Sequence, residues 1–147
     1  MKLDIFRTLW GYTASKTQAL EELLDAGFDG MEARLPLEAS ERAEFSAFLR
    51  ANQLGYISTV FTAYNVLPEQ AAPVTEHLVD LDKKLAWAAE LSPRFVNVLA
   101  GNDRWQLPQQ VDFFGRALEL ARKHGQVCSF ETHRSRSLFN PWITLEL

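Results

Sequence analysis

The stretch Val127-Cys128-Ser129-Phe130-Glu131-Thr132-His133-Arg134 brings a carboxylate, an imidazole and a guanidinium together at the end of an apolar segment. In an extended chain side chains alternate, so Ser129, Glu131 and His133 share one face while Cys128 and Phe130 take the other. A carboxylate and an imidazole on one face can hold a divalent cation or act as base and acid toward a substrate. The competing reading is a solvated strand end in which Glu131 pairs with Arg134 or Arg136. Glu32 poses the same choice. It shares a face with Gly30 and Arg34, where it either contacts a ligand or anchors Arg34 or Arg7.

Strands must carry these groups, and the chain offers five. Leu3 to Trp10 is bulky and β-prone and stops at Gly11, and 28–34, 56–62 and 95–99 read as further strands before the segment that opens at Val127. Helices are expected between them. Ala19, Leu20, Leu23 and Leu24 lie at helical spacing behind a cap at Ser15 or Thr17 and before Gly27. Ala43, Phe45, Phe48 and Leu49 mark a helix over 38–52. After a connection through Asn65 and Pro68, the residues Leu78, Leu81, Leu85, Trp87 and Ala88 mark another over about 73–91. Val111, Phe114, Leu118 and Ala121 place the fourth over 108–123, and Asn140-Pro141 is a cap and first turn for a short last helix. Strands alternating with helices predict right-handed βαβ units and a parallel sheet.

The remaining composition narrows the class. The 147 residues suit one domain, and a hydrophobic fraction of 47% with 23% charged residues is ordinary for a packed protein. A net charge of -4 leaves no basic excess for a phosphate backbone, so a general nucleic-acid binder is disfavoured. No run approaches the roughly 18 apolar residues of a membrane span, which predicts a soluble protein without a membrane partner. The single cysteine, Cys128, excludes an internal disulfide and suits a buried filler in a reducing compartment, so a cytoplasmic location is expected. His77 and His124 fall on helices and read as surface residues.

Taken together, Phe28-Asp29-Gly30-Met31-Glu32, Gly101-Asn102-Asp103-Arg104-Trp105 and Phe130-Glu131-Thr132-His133-Arg134 resemble the xylose isomerase-like (β/α)8 superfamily, and within it the sugar phosphate isomerase/epimerase group. The resemblance covers essentially the whole chain. It implies an α/β fold, an incomplete (β/α)8 TIM barrel of about five parallel strands. It also implies proton transfer next to a sugar carbonyl, assisted by a divalent metal: Mg or Mn for hard oxygen ligands, Zn or Co for a mixed set. Glu131 matches the fifth-strand glutamate, expected as metal ligand and as proton-transferring carboxylate. Around a sugar or sugar phosphate the expected contacts are Glu32, His133, Arg134, Asn102 and Trp105, with Trp10 and Tyr12 near the same mouth. Asn102-Asp103 is also a plain turn former, and the aromatics are also packing residues.

The departure from the family is large. A complete barrel needs about 250 residues, and strands six to eight, with the other metal ligands and the second catalytic carboxylate, have no counterpart here. A truncated and weakly active or inactive enzyme is therefore expected, its open edges covered by a second copy or a complementing chain. The alternative is a non-catalytic half-barrel that associates through those edges. An abasic-site nuclease is disfavoured by the acidic charge balance.

Overall fold

The computed structural model describes residues 3–11, 16–63 and 71–147. The expected caps Ser15 and Thr17, Tyr12, and the connection through Asn65 and Pro68 lie outside what it describes at side-chain level. Five strands and five helices alternate: β1 (Phe6–Thr8), α1 (Lys16–Asp25), β2 (Gly30–Arg34), α2 (Ala39–Ala51), β3 (Gly55–Phe61), α3 (Val74–Ala89), β4 (Phe95–Leu99), α4 (Leu107–Lys123), β5 (Cys128–Phe130) and α5 (Pro141–Glu146). The strands form one sheet in chain order, every neighbouring pair parallel. The expected five-stranded partial barrel is what the chain forms. β2 starts two residues later than expected, and β1 and β5 are much shorter than their apolar stretches suggest, both being edge strands with a partner on one side among the described residues.

The alternation expected of strands decides which residues reach the core. Met31, Tyr56, Val60, Val96 and Val98 are buried on the convex face, where Leu23, Phe45, Leu49, Leu81, Leu85 and Phe113 from the helices close over them. Cys128 packs against this cluster as expected, and burial pushes its thiol up to about 11, so it is not a thiolate near neutrality. Helix ends follow their sequence signals where those exist. The Asn140 side chain accepts from the Ile143 N–H at 3.0 Å, and Gln106 and Gln109 form a reciprocal capping box at the start of α4.

On the concave face the floor is set by Phe6, whose ring lies against Gly30 and Gly55. A Cβ on Gly30 would run into the Gly55 carbonyl oxygen and the Phe6 ring, so only glycine allows β1 and β3 to approach β2 this closely. Above that floor the register sets Thr59, Asn97 and Ser129 side by side on β3, β4 and β5. The next positions toward the C-terminal ends, Phe61, Leu99 and Glu131, line a cavity.

Candidate active site

Asn97 is the one polar side chain in the apolar run of β4, and its amide organises the concave face. The Ser129 hydroxyl donates to Asn97 Oδ1 at 3.0 Å, which orients the amide with Nδ2 away from β5's hydroxyl. Nδ2 then donates to Glu131 Oε2 at 2.7 Å and to Glu32 Oε1 at 3.3 Å. Thr59 Oγ1 adds a second donor to Glu32 Oε1 at 3.3 Å. Two carboxylates from β2 and from the end of β5 thus converge on one amide nitrogen. The positive end of the amide dipole lies between them and offsets their mutual repulsion.

Glu32, Glu131 and His133 all line one cavity of about 840 Å³ at the C-terminal mouth, together with Thr8, Trp10, Arg34, Thr59 and Phe61. That size suits a small polar molecule. His133 Nδ1 lies 2.6 Å from the Arg134 carbonyl oxygen, which can only accept, so Nδ1 carries the proton. In the neutral ring Nε2 keeps its lone pair, the form required of an acceptor or metal ligand. Glu32 anchors neither arginine that the sequence offered it. Arg7 pairs with Glu22 at 3.0 Å, and Arg34 lies over the Trp10 and Phe61 rings.

Three expected ligand contacts are not brought to this cavity. Asn102 is fully buried and its Oδ1 accepts from the Arg104 N–H at 3.0 Å, closing a turn. Trp105 is buried with it and packs against the His77 and Phe113 rings at centroid distances of 4.7 and 5.3 Å. The cause is Gly101, at a φ of +64, which turns the chain inward after β4. Arg134 is exposed and outside the cavity lining, and it is its carbonyl that serves His133. Trp10, by contrast, lines the cavity against Phe61 at 5.8 Å.

A buried polar layer behind the mouth corrects the reading of His77 as a surface residue. His77 is fully buried, and the Thr62 hydroxyl lies 2.7 Å from its Nδ1 while accepting from the Gly101 N–H at 3.0 Å. Arg136, also fully buried, reaches back from the loop after β5 and donates to the carbonyls of Thr62 at 2.9 Å and Gly101 at 3.3 Å. Burial leads its guanidinium down to about 10, still charged at neutral pH. Lys84 donates to the Phe61 carbonyl at 2.6 Å and to Asp80 at 2.7 Å. His124 is half-buried rather than on the open surface, with Nε2 2.6 Å from Asp82. His77 carried a signal in the sequence, since it stands four residues before Leu81 and eight before Leu85 on the apolar stripe of α3.

His77 makes stability depend on pH. Burial first, then the Arg136 and Lys84 charges, pull its imidazole from 6.5 down to about 4. Between those values the unfolded chain takes up a proton that the folded chain refuses, so stability falls as pH drops through this window. The loss is expected to reach about 3 kcal/mol for the full shift. Urea unfolding at pH 7 and pH 4.5 checks it, and His77→Leu is expected to flatten that part of the profile.

Five parallel strands wrapped by helices, with carboxylates and an imidazole gathered at the C-terminal ends, define the class as a TIM-barrel-type α/β protein with a mouth-facing site. Residues 20–146 match the family described as xylose isomerase-like TIM barrel, and the chain belongs to that family. No curated protein matches the sequence significantly. Among solved structures the chain is similar to an L-ribulose 3-epimerase, at 17% identity and a TM-score of 0.72, over 99% of this chain and 56% of the other. It is also similar to the IolI protein with a bound zinc atom (11%, 0.73, 98% and 57%). A third is the 3-keto-D-glucoside 4-epimerase YcjR from E. coli (15%, 0.64, 92% and 58%). At such identities the likeness is one of fold, and the chain spans somewhat more than half the length of these proteins. No helix among the described residues is long and apolar enough to cross a membrane.

Among the described residues no three His, Cys, Asp or Glu side chains stand close enough to hold a metal ion. Glu131 and His133 share the cavity lining, but the donor set here falls short of a complete divalent site.

Proposed function

We propose that this chain carries the proton-transfer side of a sugar isomerase/epimerase-type site, acting on a small polyhydroxylated carbonyl compound such as a sugar or sugar phosphate. The observation that supports it is the convergence of Glu131 and Glu32 on the Asn97 amide inside the mouth cavity. Glu131 takes the proton from the carbon next to the carbonyl and returns it to the former carbonyl carbon, while the proton of the adjacent hydroxyl passes to the former carbonyl oxygen, which interconverts aldose and ketose through an ene-diolate. Asn97 holds that carboxylate in place, and Glu32 accepts hydrogen bonds from substrate hydroxyls. A divalent metal (Mg, Mn, Co or Zn) enters this reading only with donors beyond those present, and Glu131 is the residue here that would ligate it. On this reading the chain alone is weakly active. Incubating the protein with ketoses in D2O, with and without added Mn2+ or Mg2+, tests the reading. Deuterium appearing beside the carbonyl is expected. Sugar that binds yet never exchanges, under any metal, would sink it.

A second reading is favoured by the sheet edges. Among the described residues β1 and β5 each pair on one side only, and Leu3, Ile5, Val127, Phe139, Trp142 and Leu145 are exposed apolar residues. On this reading the chain is a half-barrel that covers its edges with a second copy or a complementing chain. Light scattering on the purified chain separates the two, since a strict monomer at all concentrations removes self-association.

A further inference from the structure

We infer that Arg34 is the binding residue for an anionic substituent, a carboxylate or a phosphate, on the ligand of the mouth cavity; the inference rests on the sugar-site reading above and narrows it to acidic sugars. Arg34 is the only lysine or arginine among the described cavity-lining residues. Its guanidinium carbon lies 4.9 Å from the Trp10 ring centroid and 5.1 Å from that of Phe61. Those two rings are themselves 5.8 Å apart, so they form an aromatic seat, just past the end of β1 and at the end of β3, for a cation delivered by β2.

Stacking engages the faces of a guanidinium and leaves its N–H edge for acceptors in the plane. Among the described residues no carboxylate or carbonyl takes that edge. Glu32, two residues earlier on the same face, is occupied by Thr59 and Asn97. A forked N–H edge matches the paired oxygens of a carboxylate or phosphate, and such charge-assisted pairs are stronger than neutral ones.

The placement also sorts the ligand's ends. Glu131 stands at the end of β5, three strand steps of about 4.8 Å each from Arg34 at the mouth end of β2, and the Glu32 carboxylate, though on β2, is turned toward β3 and β4 by Thr59 and Asn97. An anionic group is repelled from the first region and drawn to the second. That sets the uncharged carbonyl end over Glu131, so binding energy from the remote anion orients the reacting carbon.

The experiment is titration calorimetry of the whole chain with D-fructose, D-fructose 6-phosphate, D-glucuronate and inorganic phosphate at fixed ionic strength. The two acidic sugars are expected to bind at least about tenfold more tightly than fructose. Arg34→Met should bring that ratio toward one, with Arg34→Lys between, and thermal unfolding of each variant checks that the fold survives. Tighter binding by only one acidic sugar identifies its anion as the one that fits. Equal affinity for fructose and both acidic sugars overturns the inference while leaving the sugar site standing, as does a ratio that persists in Arg34→Met. Phosphate binding alone, with no sugar bound, overturns both.

Discussion

Glu131→Gln is expected to slow exchange of the proton beside the substrate carbonyl by about 10²–10⁴-fold, the range a positioned general base supplies. The substitution changes one oxygen to a nitrogen and leaves the side-chain length intact. A glutamine Oε1 can still accept from Asn97 Nδ2, the 2.7 Å bond that fixes the native carboxylate, so the packing around the amide should hold. What disappears is the basic oxygen. Deuterium wash-in followed by NMR measures the rate, with thermal unfolding as the control on the fold. A variant that exchanges at the wild-type rate would assign the chemistry to another group. A variant that unfolds early would show instead that the carboxylate charge holds the site together.

Arg136→Met is expected to cost about 3–5 kcal/mol of stability, the range for removing one partner from a buried charged arrangement. The guanidinium ties three consecutive strand ends. It projects from the loop after β5 and donates to the Thr62 carbonyl beyond β3 and the Gly101 carbonyl beyond β4. Methionine fills similar space but donates nothing, so buried carbonyls lose their partners. The same loop is pinned by the Ser137 N–H on the Ala100 carbonyl and the His133 N–H on that of Leu138. Loss of Arg136 therefore loosens the segment that carries Glu131 and His133 as well as the fold. Urea titration at pH 7 reads the stability, and Arg136→Lys should fall between, because it keeps the charge without the fork. A loss below about 1 kcal/mol would mean that the loop is held by its backbone bonds alone.

Much of the site was legible one strand at a time. Period-two alternation put Glu32 and Glu131 on the concave side and Cys128 and Phe130 on the other, and the structure keeps that division: Phe130 packs edge-to-face against Phe114 of α4 while Glu131 lines the mouth. Asn97 also left a mark, as a lone amide between Val96 and Val98 in an otherwise apolar strand. Its role was not legible, because the amide finds its partners only when β2 and β5 bring Glu32, Ser129 and Glu131 to it.

The loops behaved differently. Asn102 and Trp105 look from composition like a polar flap with an aromatic tip, yet the chain turns in at Gly101 and buries both. Arg136 looks like a surface charge and is instead fully buried, since backbone carbonyls of two other strand ends receive it.

The amino-acid order by itself determined the strand and helix succession, the parallel α/β class and the face each strand residue takes. Those follow from spacing between near neighbours along the chain. Tertiary structure alone decided which polar side chains meet, that Trp10, Arg34 and Phe61 stack at one mouth, and that His77 and Arg136 lie inside. Such contacts join residues far apart in sequence, and burial of an ionisable group depends on partners that no local pattern specifies.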